Sequence, residues 1–253
     1  MEGLAVPDIV TAWVHLAALA FARVGTAVLI LPGFGDTQIP PRIRIALGLV
    51  VTLALLPALP LPDPPAQTTA LALLLGGEVL VGVFIGTGAR LLLAAMHLLG
   101  AQIGMVAGIS NAFAPGVANS EGATAIGALL TVASVALIFA TDMHHLMITG
   151  LLRSYAVLPV GQLPLADMAQ QIGRLGGDAF RISASMAAPF LVVSVLLNLG
   201  LGLANRVMPN MQVFFVAAPG MILAGLALLA LSVPAVLDLM MREMSDWLFG
   251  LMR

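Results

Sequence analysis

Two charged side chains sit deep inside long hydrocarbon stretches of this sequence, Glu78 in GGEVLVGVF and Arg90 in GTGARLLLA. At mid-bilayer each would cost at least about 2.5 kcal/mol, so both must face protein or water. Two uses are open. They could line a proton or substrate path, or they could make structural polar contacts at a buried interface. They cannot bond each other along one straight helix. Twelve residues correspond to about 18 Å of rise and about 120° of rotation. Each therefore needs a partner on another element or another chain.

Other reactive groups are few. His144 and His145 follow Asp142. Adjacent side chains project about 100° apart on a helix, so the two imidazoles are not expected to chelate together. A ligand or proton-relay role and a polar anchor at a helix end all remain open for them. No HExxH is present, which removes the usual intramembrane zinc protease. There is no Cys, so thiolate metal sites and Cys nucleophiles are excluded. Ser183 and Ser185 have no nearby His or Asp that would complete a hydrolase site. All ten basic residues are Arg, and no GxxxxGK[ST] phosphate loop exists. The expectation is a protein that is not an enzyme, with no cofactor and no metal. A net charge of −2 gives no sign of nucleic-acid binding.

The elements that position these groups are apolar helices. The 253 residues are 60% hydrophobic and 9% charged, far below the quarter charged that is usual for a soluble domain. Runs of about 20 apolar residues, enough for a hydrocarbon core of about 30 Å, recur along the chain. They cover about Ile9–Leu31 (broken by His15 and Arg23), Ile43–Leu59, Ala66–Ser110, Ala123–Thr141 with a shorter piece to Tyr155, Ser183–Leu203 and Val213–Leu237. The third run is too long for one span and suits two helices or a bent pair. Leu165–Arg181 reads as a separate amphipathic helix, with Asp167, Gln170, Arg174, Asp178 and Arg181 recurring three or four apart. The tail from Asp238 is also amphipathic. The result is an all-α polytopic membrane protein of six or seven long helices, a single domain over residues 1–253. The start, MEGLAVPDIV, has no basic region and is not expected to be a cleaved signal peptide.

Two patterns punctuate the runs. Gly82 and Gly86 follow Glu78 at four-residue steps, and Gly100, Gly104 and Gly108 repeat the spacing. Such small-residue stripes let helix backbones approach closely. Then NAFAPGVANSEG, Asn111 to Gly122, interrupts the hydrocarbon with a small, polar, turn-prone stretch. Pro115, Gly116 and Gly122 oppose regular helix, and Phe113 and Val117 are apolar enough to seal. Glu121 is its one carboxylate.

In order, PGFGDTQIPPRIRIALGLVVTLALLPALP, GGEVLVGVFIGTGARLL, GAQIGMVAGISNAFAPGVANSEG, HHLMITGLLRSYAVLPVG and NLGLGLANRVMPNMQVFFVAAPGMI resemble the segments of one family, FliR, called SctT in injectisomes. The resemblance covers nearly the whole chain. It implies FliP-like helices followed by a FliQ-like helical hairpin, packed in a helical hetero-oligomer. It implies an export-gate subunit of type III secretion, needed for flagellar assembly, in the inner membrane at the flagellar basal body. Its partners would be FliP-like and FliQ-like subunits, FlhA- and FlhB-like proteins, membrane lipid and unfolded protein substrates. The loop Asn111–Gly122 would be the channel plug. Glu78, Arg90 and Arg206 would make contacts between helices or subunits. One departure is clear: the family commonly has an acidic residue before the loop proline, where this chain has Ala114. The competing expectation is a small-solute secondary transporter using Glu78 and Arg90 at a midplane site.

Overall fold

A computed structural model of the chain describes residues 6–60, 65, 67–106, 121–207 and 213–252. The described residues are mostly helical, with no strand among them. The first rod comprises α1 (Val6–Ala20), a π-helical turn (Phe21–Gly25) and α2 (Thr26–Ile30). It ends where Pro32 forces Leu31 into an extended conformation, φ −53° and ψ 140°. Gly33 follows at φ 81°, a left-handed backbone that suits glycine. α3 (Pro41–Leu55) opens with Pro41 in its first turn, where the missing N–H costs nothing. It closes in a 3₁₀ turn at Leu56–Ala58 that contains Pro57.

α4 is a single helix, Thr68–Val106. Its 39 residues span about 58 Å at 1.5 Å per residue, nearly twice the thickness of a bilayer core. The two helices or bent pair expected over this stretch are thus one element. α5 (Glu121–Ala140) and α6 (Met143–Val157) are separated only by Thr141 and Asp142, the latter in the left-handed region at φ 57°.

One further expectation is corrected. The amphipathic stretch Leu165–Arg181 and the apolar stretch from Ser183 form one helix, α7 (Leu165–Val207, 43 residues). The tail from Asp238 likewise continues the preceding run as α8 (Val213–Leu251). A fall in polarity along a helix changes what its face touches, not its hydrogen bonding, and neither join carries a breaking Gly-Pro pair. Pro189, Pro219 and Pro234 lie inside these helices, as membrane helices tolerate. With α1, the π turn and α2 taken as one rod, seven helices are described.

Five helical stretches are long and apolar enough to cross a membrane: Trp13–Ile30, Pro41–Ala58, Thr68–Met105, Leu165–Val207 and Pro219–Leu251. The broken pair Ala125–Ala140 and Met143–Val157 would make a sixth. The protein is polytopic and all-α. Only 11% of the most apolar window of α3, and 11% of that of α7, is buried within the chain. These helices must find lipid or other protein chains.

The helices gather into two compact units. The first holds Met1–Leu91, Ile138–Leu175 and Glu243–Arg253, with Leu19, Val24, Ile85, Met147, Leu151 and Leu248 among its buried side chains. The second holds Leu92–Leu137 and Gly176–Arg242, with Met96, Leu99, Ile126, Leu130 and Phe190 buried.

Candidate functional site

The π turn places Arg23 inside the first unit with none of its surface exposed. Glu78 of α4 meets it. Arg23 Nε donates to Glu78 Oε2 at 2.7 Å and Nη2 donates to Oε1 at 2.9 Å, a two-pronged charged pair. Nη2 also donates to the carbonyl of Leu158 at 2.8 Å, and Nη1 to Ser154 Oγ at 3.3 Å. Four of the five guanidinium N–H groups are thereby engaged. Ser154 Oγ in turn donates a hydrogen bond to the carbonyl of Leu151 at 2.7 Å. The ring of Tyr155 lies under the guanidinium, 3.9 Å from its carbon to the ring centroid.

Three elements meet at this one cation. Leu158 caps the C-terminus of α6, so Arg23 also answers the negative end of that helix. The pair is sealed from solvent and nearly saturated with hydrogen bonds. Such an arrangement clamps helices; it has no open position for a solute and no exposed atom for proton exchange.

The glycines of α4 explain how Glu78 gets there. A Cβ on Gly82 would lie 2.5 Å from the carbonyl oxygen of Arg23, and one on Gly86 would lie 2.6 Å from Ile30 Cβ. Glu78, Gly82 and Gly86, one turn apart, form the face that α4 presses onto the π turn and α2. Only residues without side chains permit that approach. In the second unit Gly100 does the same against α5, where its Cβ would fall 2.3 Å from both the Cα and N of Gly127. Gly104 is buried one turn further on, and Gly108 lies outside the described residues.

The structure separates the remaining residues singled out in the sequence. Arg90 does not join Glu78; its Nη2 lies 3.5 Å from Asp36 Oδ1, in a half-exposed pair. Arg206 is exposed in the last turn of α7. Of the polar loop, Asn111, Phe113, Pro115, Gly116 and Val117 lie outside the described residues, whereas Glu121 and Gly122 are the first residues of α5. Glu78 and Arg90 therefore do not converge on one midplane site, as a solute transporter would need. His144 and His145, expected to point apart, have ring centroids 4.1 Å apart in the first turn of α6.

Sequence reasoning missed Arg23 as the partner of Glu78, and with it Ser154, Tyr155 and the carbonyl of Leu158. It also missed Asp36. The available signal was sign: Arg23 was the other charge embedded in an early apolar run, and an isolated buried carboxylate demands a cation.

The model of bacterial export proteins, family 1, matches residues 14–247, a range that contains the whole clamp and both glycine faces. The chain belongs to this export family. Relatives matched over most of their length carry the name flagellar biosynthetic protein FliR. The FliR of Caulobacter vibrioides is 37% identical over 228 residues, covering 88% of this chain and 90% of the relative. That of Pectobacterium carotovorum is 29% identical, covering 88% and 86%. That of Escherichia coli K12 is 25% identical with the same coverage. A FliR-family chain with several membrane-spanning helices is a membrane-embedded component of a bacterial export system.

Proposed function

We propose that this chain is a structural and gating subunit of the flagellar type III export gate, without chemistry of its own. One copy joins FliP-like and FliQ-like subunits in the bacterial inner membrane, at the base of the flagellum. It works with FlhA- and FlhB-like proteins, and unfolded substrates pass through the assembly. The carrying observation is the family match across residues 14–247. The physical picture agrees. α3 and α7 bury little of their apolar surface within the chain, and the embedded charges are spent on holding helices together rather than on a solute.

In this reading α7 and α8 form the FliQ-like hairpin; Phe190, Ser194 and Leu197 of α7 share a cavity wall with Met221, Gly225 and Leu228 of α8. The loop over residues 111–120, leading into Glu121 and Gly122 at the start of α5, is the plug. Its small residues let it fold within a narrow lumen, and irregular backbone survives at membrane depth only where protein or water surrounds it.

Removing residues 111–120 tests the plug while sparing Glu121 and Gly122, which open α5. The expected result is an assembled complex that leaks ions several-fold faster than the parent, read by dye influx in growing cells. An assembled complex with unchanged leakage would sink the plug.

A further inference from the structure

We propose that Asp142, His144 and His145 form a surface site for a divalent transition-metal ion of the zinc class. Each offers one ligand atom, and the three atoms lie within 4.8 Å of one another. The two imidazole rings lie on the same side of the chain, with centroids 4.1 Å apart, and His145 Nδ1 is 3.5 Å from Asp142 Oδ1. Two imidazoles and one carboxylate are a donor set that suits zinc and its neighbours, with water completing a tetrahedron.

Three features of the backbone and packing set this cluster apart from a chance grouping. Asp142 occupies the N-cap of α6, where a carboxylate ordinarily accepts from the first-turn N–H groups. Here it makes no such bond, and its backbone holds the left-handed conformation at φ 57°, which Asp adopts more readily than most residues. The carboxylate is turned to His145 instead. His144 Nδ1 is closed off from solvent and has no hydrogen-bond partner among the described residues, an unusual state for a buried ring nitrogen. Its ring is held in place by Phe139, 5.2 Å away between centroids, and Phe139 is held in turn by Phe34 at 5.5 Å.

One ligand is thus fixed and two are free to close. Bonds of about 2.0–2.1 Å to a tetrahedral ion bring ligand atoms to about 3.3 Å of each other. The side chains of His145 and Asp142 are 69% and 77% exposed, so they can make that move by rotamer change alone. Bound there, the ion would tie the first turn of α6 to the break that precedes it and fix its geometry.

The test uses the full chain purified in mild detergent with a tag that contains no histidine, stripped with a chelator and titrated with Zn²⁺ against a competing chromogenic chelator. One ion per chain should bind. His144→Gln and His145→Gln should each weaken it by about tenfold or more, and Asp142→Asn by less. Cu²⁺ loaded in place of Zn²⁺ should show coupling to two imidazole nitrogens in its paramagnetic resonance spectrum. Without metal the double Gln variant should stay folded, its thermal midpoint lowered by no more than the loss of the His144 ring contact with Phe139. Equal Zn²⁺ binding by the parent and the folded double variant would overturn the site, as would a parent that holds no ion against the chelator.

Discussion

Replacing Arg23 with Ala should destabilise the protein by about 3–5 kcal/mol, because Glu78 would be left charged, buried and alone. Glu78 is 1% exposed, and its carboxylate takes both of its short charged bonds from Arg23. The carbonyl of Leu158 and Ser154 Oγ would lose their donor as well. Glu78→Ala should do comparable harm by orphaning the cation. The double change Arg23→Met with Glu78→Leu should be far milder than either single change. It removes both charges together and keeps the volume, and apolar replacements of whole buried pairs are often neutral or better. Thermal midpoints of the purified chain, or its steady-state level in membranes, distinguish the cases. If the double variant were as unstable as Arg23→Ala, the clamp would owe its effect to shape and not to charge pairing.

The second large effect is expected at Gly100. Any Cβ there meets the backbone of Gly127 at 2.3 Å, and backbone atoms cannot rotate out of the way as a side-chain tip can. Gly100→Val should therefore prise α4 from α5 and cost about 3 kcal/mol, the upper end for overpacking. Gly176→Ala is the matched control. A Cβ at Gly176 has open space around it within 4 Å, and Ala in a helix interior is favoured over Gly by roughly 0.5–1 kcal/mol. One glycine substitution should thus lower the thermal midpoint of the isolated chain sharply while the other leaves it unchanged or raises it. Equal responses would show that the close approach at Gly100 is not a packing constraint.

These two sites show what the sequence displays and what it conceals. The Glu78, Gly82, Gly86 spacing is legible because a four-residue step keeps residues on one helix face, and that face is the one pressed against the first rod. The partner of Glu78 is hidden because 55 residues separate it from Arg23, and no local period encodes which distant cation will arrive. The π turn that carries Arg23 also leaves no mark in the apolar pattern. Helix ends were legible where Pro32, Pro41 and Pro57 impose them. One was misread at Arg181–Ser183, where a change of polarity resembles a boundary although the backbone continues through it. Ideal-helix projection separated His144 from His145. A first turn entered from a left-handed Asp142 brings the rings together instead. The polar stretch around Pro115 announces itself by composition alone, and composition carries no coordinates.

The central claim is that this chain works only as one subunit of a larger export gate. The direct measurement is the native mass and composition of the tagged chain, extracted in mild detergent from cells that also express the neighbouring genes. The account predicts one copy within a large assembly of other hydrophobic subunits. A folded monomer or homodimer, stable and free of partners, would contradict it.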